Sequence, residues 1–296
     1  MQVRDTAPLA LAALALSLPS GCSGVRAPEA AHERHARAPD GLSLAYEELG
    51  TGAPALVFVH GWCGDRALWR TTLAAFAPRH RVLALDLGGH GTSGAERGAW
   101  SLEVLAGDVV AVCDAAAIED AILVGHSMGA PVALLAAARL PGRVRGVIGV
   151  DSLHDVDFAY PPGFLAQVAA GLEADYAGAL EASLRGVAGP GLTEARVDWL
   201  VARAARTDRG AAIGLLRGFG GFDLAAALGA AAVPVRVVNA APRAGGLVTA
   251  VEHNRRAADF DALLLEDCGH FPMLEQPERL VAGLARWIDD LSDPPR

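Results

Sequence analysis

Apolar residues in this chain fall into short continuous runs separated by amphipathic stretches. The runs are typical of strands buried on both faces of a sheet, and they lie at 55–61, 81–91, 121–125, 144–151, 233–240 and 260–270. The segment "LSLAYEEL" (42–49) alternates apolar and polar positions, as a half-buried strand does. Helical spacing predicts helices at 67–76, 102–117, 130–140 and 277–291. This alternation predicts an α/β fold, with a mostly parallel central sheet and helices on both faces.

The alternation stops between residues 152 and 230. This region has no convincing strand, but it has helical stretches at Phe164 to Leu184, Thr193 to Thr207 and Ala211 to Phe219. Insertions after the carboxyl ends of strands lie over the binding site of an open α/β sheet, so we expect a helical cap. The predicted organisation is a core of 40–151 and 231–296 with a cap of 152–230.

The first residues have the pattern of a targeting signal. Arg4 precedes an apolar run from Leu9 to Leu18, which is too short to span a bilayer and predicts a secretory signal peptide over 1–21. The pair Ser20-Gly21 before Cys22 resembles a bacterial lipobox, which implies lipidation of Cys22, a polar tether over 22–39 and a place in the cell envelope. An ordinary cleaved signal, an uncleaved anchor and a misassigned start are the alternatives.

Composition narrows the classes of partner. The chain is 52% hydrophobic, which supports a large core. Its net charge is −9 with no basic block, and this argues against nucleic acid, because binding it requires a Lys/Arg patch. The four cysteines form no C-x-x-C pair, and no Cys/His spacing fits a zinc site, so the residues suggest no metal or cofactor.

The stretch "LVGHSMGAPV" (123–132) contains a G-x-S-x-G motif centred on Ser127. It follows a predicted buried strand and opens a predicted helix, which is the setting of a nucleophile elbow. Gly125 and Gly129 would allow a sharp turn, and the helix N-terminus would favour a developing oxyanion. We therefore predict Ser127 as a nucleophile; a serine that merely caps the helix is the alternative.

A serine nucleophile needs a base, and three of the nine histidines stand at predicted strand ends. They are His60, His90 and His270. His270 comes last along the chain, directly after the final strand, which agrees with the order nucleophile, acid, histidine of α/β hydrolases. His270 is therefore the predicted base.

From about residue 40 to 291 the chain resembles the α/β-hydrolase superfamily, nearest to its esterase, haloperoxidase-like and C–C-bond hydrolase branch. The segments that carry the resemblance are "VFVHGW" (57–62), "LALDLGGHGTSG" (83–94), "LVGHSMGAPVAL" (123–134) and "CGHFPMLEQPE" (268–278). The resemblance implies that the backbone N–H groups of Trp62 and Met128 form the oxyanion hole. It implies structural roles for His60 and His90. Epoxide hydrolases and haloalkane dehalogenases have an aspartate nucleophile, so Ser127 disfavours those reactions.

The acid of the triad departs from the family pattern. The loop after the strand that resumes the sheet carries Asn239, Ala240 and Ala241 where the family has an aspartate. Asp151, at the end of the strand after the nucleophile helix, is the predicted replacement. The alternatives are a site without an acid, or an acid among four other carboxylates: Asp155, Asp157, Glu252 and Asp267.

These residues predict a serine hydrolase that cleaves a small or medium hydrophobic ester through an acyl-enzyme. Apolar residues of the cap would line the acyl or aromatic pocket, and the candidates are Phe158, Tyr160, Phe164, Leu165, Trp199 and Phe222. The alternatives are a C–C-bond or amide hydrolase or an acyltransferase with the same triad, and a non-catalytic binding protein on a degenerate scaffold.

Overall fold

The computed structural model describes residues 32–242 and 247–292. Its centre is an eight-stranded sheet in the spatial order β1-β2-β4-β3-β5-β6-β7-β8. Strand β2 is antiparallel to both of its neighbours, and all other pairs are parallel. The strands are β1 His32–Arg37, β2 Ser43–Leu49, β3 Ala55–Val59, β4 Val82–Leu85, β5 Ala121–His126, β6 Val144–Val150, β7 Val235–Ala240 and β8 Phe260–Leu265. Each predicted apolar run contains one of β3 to β8, except that β5 extends one residue beyond its run, so the α/β prediction is confirmed.

Strand β1 corrects the predicted boundary between tether and core. The predicted tether of 22–39 includes residues 32–37, but these residues pair with β2 along their whole length. Their sequence, HERHAR, gives no strand signal, because an edge strand is half exposed and does not need a continuous apolar pattern. The signal peptide of 1–21, Cys22 and the remainder of the tether up to residue 31 lie outside the described residues.

Helices cover both faces of the sheet. Two apolar cores result, one beneath α2, α3 and α8 and one beneath α1 and α11. Within the described residues no single helix is long and apolar enough to cross a membrane; only a pair bent by 90°, Arg209–Gly221 with Leu224–Ala231, passes that test jointly. The helices are α1 Arg70–Phe76, α2 Leu102–Ala115, α3 Gly129–Ala137, α4 Phe164–Ala174, α5 Tyr176–Val187, α6 Glu194–Ala204, α7 Arg209–Gly218, α8 Leu224–Ala231, α9 Val251–Asn254, α10 Pro272–Glu275 and α11 Pro277–Ser292.

The segment between β6 and β7 is helical, as its sequence predicts, but its helices contact different parts of the core. The stretch predicted as one helix is two, because Asp175 ends α4 and its carboxylate accepts a hydrogen bond from the first turn of α5. Helix α8 packs against α3 on the sheet. Helices α6 and α7 are tied to the loop after β3: Arg203 pairs with the buried Asp65, and the Trp62 indole donates to the Ala212 carbonyl at 2.8 Å.

Candidate active site

Ser127 lies on a strained turn between β5 and α3. Its φ is +50°, in the left-handed region that non-glycine residues rarely adopt. Both glycines of the motif are required by close approach of the backbone. A Cβ on Gly125 would lie 2.4 Å from the Ala130 nitrogen, and one on Gly129 would lie 2.4 Å from the Val59 oxygen. The turn thus depends on these glycines for space, while the serine itself takes the unusual conformation.

The structure brings the three predicted side chains into one hydrogen-bonded chain. His270 Nε2 lies 3.0 Å from Ser127 Oγ, and His270 Nδ1 lies 2.6 Å from Asp151 Oδ2. With Nδ1 protonated toward the carboxylate, Nε2 is free to accept the serine proton. This is the arrangement of a nucleophile, a base and an orienting acid.

Contacts from several directions hold the loop that carries His270. The Glu275 carboxylate accepts backbone hydrogen bonds from Gly269 at 2.8 Å and from Phe271 at 3.1 Å. His126 Nε2 donates to the His270 carbonyl at 2.7 Å, and the two rings lie 4.8 Å apart. The residue before the nucleophile thus braces the backbone of the candidate base.

Asp151 follows β6, which is adjacent to the strand of Ser127. Its second oxygen, Oδ1, accepts the Ala240 N–H at 2.9 Å, and its φ is +44°. Burial by itself raises the pKa of Asp151. The hydrogen bond and charge of His270, with smaller contributions from His154 and the Ala240 N–H, outweigh burial and bring the pKa below its ordinary value. The carboxylate is therefore ionised at neutral pH.

The other four candidate acids have different surroundings. Asp155 contacts His253, and Asp157 pairs with Arg256. Glu252 pairs with Arg255 at 2.7 Å, and Asp267 is exposed. Within the described residues none of the four forms a hydrogen bond or ion pair with His270, so the geometry selects Asp151.

Trp62 and Met128 line the same cavity as Ser127. Within residues 32–242 and 247–292, neither backbone N–H has a hydrogen-bond acceptor, which leaves both available to a ligand. The loop before Trp62 is fixed by His60, whose Nδ1 donates to the Gly61 carbonyl at 2.8 Å while its Nε2 accepts the Leu87 N–H at 3.0 Å.

Three buried histidines near the strand ends are neutral. Burial lowers the pKa of His60 to about 4, and it lowers the pKa values of His90 and His126 to about 3. None of them is within hydrogen-bonding distance of Ser127. This agrees with the structural roles that the resemblance implies for His60 and His90.

The cavity above Ser127 has a volume of about 940 Å³, at the upper end of the range for small-molecule sites. Its wall joins the strand ends to the helical segment, and among its described lining residues there is no Lys or Arg. Apolar side chains dominate the part contributed by the helices and the loops beside them: Leu153, Phe158, Tyr160, Leu165, Leu216, Phe219 and Phe222. The predicted lining residues Phe164 and Trp199 are not among those found.

Among the described residues, one cluster could supply metal ligands, namely Asp155, Asp157 and His253. All three are at least partly exposed, and Asp157 already pairs with Arg256. Because nothing else at this position indicates a cation, we assign no metal to it.

Sequence reasoning missed the side chains that brace the triad. For Asn239 the available signal is an uncharged polar residue at a predicted strand end, which needs a hydrogen-bond partner once it is buried. Asn254, in the mostly exposed helix α9, and the charged Glu275 carry no such signal.

A family model described as the alpha/beta hydrolase fold matches residues 54–189 of the chain. The chain has the α/β-hydrolase fold. Among curated proteins, this chain is 38% identical over 129 residues to the dihydrolipoyllysine-residue acetyltransferase component of an acetoin cleaving system from Cupriavidus necator. That match covers 43% of this chain and 34% of the relative, so the similarity spans about a third of the relative's length.

Solved structures share the fold of this chain over most of its length. A putative aryl esterase from Burkholderia cenocepacia superposes with a TM-score of 0.74 at 24% identity, covering 88% of this chain and 99% of the other. A bromoperoxidase from Bacillus anthracis superposes with a TM-score of 0.80 at 16% identity, covering 88% and 100%. At these identities the likeness establishes the fold alone.

Proposed function

We propose that this chain is a serine hydrolase that cleaves a small or medium hydrophobic ester through an acyl-enzyme. The observation that carries the proposal is the continuous chain of contacts from Ser127 Oγ to His270 at 3.0 Å and from His270 to Asp151 at 2.6 Å. The strained turn at Ser127 supports it, because strain of this kind clusters at functional sites.

In the proposed reaction, Ser127 Oγ attacks the ester carbonyl carbon while His270 Nε2 takes the hydroxyl proton. The carbonyl oxygen becomes an oxyanion, which the N–H groups of Trp62 and Met128 stabilise. Collapse of the tetrahedral intermediate breaks the bond to the alcohol, and His270 returns the proton to that leaving oxygen. His270 then takes a proton from water, whose oxygen attacks the acyl carbon. Collapse of this second intermediate breaks the bond to Ser127 Oγ, to which His270 returns the proton as the acid is released.

The cavity supports an uncharged, apolar substrate. Asp151 and Asp155 are the ionisable acids on its described wall, and no described lining residue is a Lys or Arg that could pair with a carboxylate or a phosphate. The aromatic and aliphatic side chains from the helical segment instead favour burial of an acyl or aryl group.

A serine-directed fluorophosphonate probe and a panel of p-nitrophenyl esters with increasing acyl length test this proposal. We expect labelling and turnover in the wild-type protein, none in Ser127→Ala, and a large loss in His270→Gln. Folded protein that neither reacts with the probe nor turns over any ester would refute the proposal and favour a binding protein on a hydrolase scaffold. Turnover of amides, C–C bonds or acyl acceptors in place of esters would identify the other uses of the same triad.

From the sequence alone we propose that the chain is exported and held in the cell envelope by lipidation of Cys22. Cells fed an alkyne-bearing fatty acid should then produce labelled protein that partitions into detergent. Cys22→Ser should abolish both properties. Release of an unlabelled, soluble wild-type protein would instead indicate an ordinary cleaved signal peptide.

A further inference from the structure

Two buried asparagine side chains form hydrogen bonds with the backbone of the loop that begins with Asp151. Asn239 on β7 and Asn254 at the end of α9 are both completely buried. Asn254 Nδ2 donates to the carbonyls of Leu153 and His154, and its Oδ1 accepts the Val156 N–H at 2.8 Å. Asn239 holds the residue next to Asp151. The two side chains therefore bind the backbone of four of the five residues after Asp151.

Asn239 makes two hydrogen bonds to the backbone of a single residue, Ser152. Its Oδ1 accepts the Ser152 N–H at 3.1 Å, and its Nδ2 donates to the Ser152 carbonyl at 2.9 Å. The amide also donates to Thr249 Oγ1 at 2.9 Å. Only an amide supplies an acceptor and donors together here. An aspartate would place a carboxylate oxygen against the Ser152 carbonyl.

The backbone at this point needs such a contact. Asp151 has a φ of +44° and Leu153 a φ of +53°, and left-handed non-glycine residues persist only where their surroundings determine them. Asp151 Oδ1 also accepts the N–H of Ala240, the residue after Asn239. Consecutive residues of β7 thus fix both the carboxylate and the peptide that follows it.

We propose that Asn239 is a positioning residue that holds Asp151 in its left-handed conformation, so that Asp151 Oδ2 meets His270 Nδ1. The inference rests on the proposed hydrolase function, but the geometry it concerns can be observed without a substrate. The strand end that lacks the expected acid contributes to the triad by orienting an acid on the neighbouring strand.

The test uses the full chain and two readouts. The first is the far-downfield proton resonance expected from the short His270–Asp151 hydrogen bond, assigned by its loss in Asp151→Asn. The second is kcat and KM for the best p-nitrophenyl ester. Asn239→Asp is the main variant because it preserves shape and the acceptor, and Asn239→Ala is the second in case the first does not fold.

We expect both variants to lose or shift the downfield proton, and kcat to fall by roughly 10- to 100-fold, the loss caused by moving a catalytic group about 1 Å. KM should change little. Thr249→Val is the matched hydrogen-bond control, since it removes a partner of Asn239 but leaves Ser152 in place. Leu105→Ala, at a completely buried position of helix α2, controls for lost stability. Both controls should keep the downfield proton.

A folded Asn239 variant with an unchanged downfield proton and unchanged kcat would overturn the inference. So would an equal loss of the proton in Leu105→Ala, because general destabilisation would then explain the effect. If the wild-type protein shows the proton but turns over no ester, the proposed function fails, and the proton alone still decides the role of Asn239. If the wild-type protein shows no such proton, the His270–Asp151 bond is absent and the inference about Asn239 falls, whereas probe labelling and ester turnover still decide the proposed function.

Discussion

Replacing Asp151 by asparagine should reverse the protonation of the candidate base. Asp151 Oδ1 accepts the Ala240 N–H at 2.9 Å, so the single oxygen of an asparagine must stay at that position. Its NH2 group would then face His270 Nδ1, which could no longer donate and would have to accept. The imidazole proton would move to Nε2, the atom that must receive the proton of Ser127.

The expected loss is large because the imidazole would be held in the wrong tautomer and its cation would lose a neighbouring charge. In a serine protease triad the equivalent change lowers kcat about 10⁴-fold, which corresponds to about 5.4 kcal/mol of transition-state stabilisation. The Asp151 carboxylate is buried and only 2.6 Å from the ring, so we expect a similar loss of kcat here.

The assay is steady-state turnover of a p-nitrophenyl ester, with folding checked by thermal unfolding. Asp267→Asn is a matched control: it makes the same chemical change at another left-handed residue, with a φ of +57°, three positions before His270. Asparagine tolerates that conformation, so both variants should fold. Near-wild-type kcat in Asp151→Asn, or an equal loss in Asp267→Asn, would refute the assignment.

Three further changes test the surroundings of the site. Arg203→Met leaves the buried Asp65 carboxylate without its ion-pair partner and should lower the free energy of unfolding by about 3 kcal/mol. Arg206→Met, at an exposed position, should leave it unchanged. Equal denaturant midpoints for the two variants would contradict this. Gly129→Ala should yield little folded protein, because its Cβ meets backbone 2.4 Å away, while Gly229→Ala, with open space around it, should fold normally in a solubility assay. Acid should destabilise the chain, because histidines of the unfolded chain bind protons below about pH 6.5 while three buried rings stay neutral to about pH 4 or 3. At pH 5 each ring should therefore lower the free energy of unfolding by about 2 kcal/mol. Identical denaturant unfolding at pH 7 and pH 5 would disprove this. The rings are those of His60, His90 and His126.

Local patterns in the sequence predict most of the fold. The apolar runs specify β3 to β8, because a strand covered on both faces must be apolar throughout. Strand β1 escapes this signal, since its sequence HERHAR is polar and its pairing depends on β2. The break at Asp175 is missed for a related reason: apolar residues continue at helical spacing across it, and a single capping side chain ends one helix and starts the next.

The candidate site is predictable only in part. Some of its residues lie in short sequence motifs, whereas others are brought to the site only by the order of the strands in the sheet. Ser127 lies in a motif of five residues, and the chain order points to His270. The choice of acid depends on strand order, which brings β6 beside β5, and on the left-handed turn at Asp151. Neither property can be deduced from the residues around Asp151, and the contact with Asn239 joins positions 87 residues apart.

The position of Asp151 explains how a chain without an acid after β7 can still form a triad. An imidazole needs an acceptor at Nδ1, and the strand that supplies it is not fixed by the chemistry. Strand β6 lies between β5 and β7, so an acid at its end is close to Ser127 and can be held from the β7 side. Ala240 donates to the carboxylate and Asn239 fixes the following peptide. A fully buried amide paired to the residue after Asp151 orders the loop that carries this acid. The contacts around Asp151 therefore favour a working triad over a degenerate one.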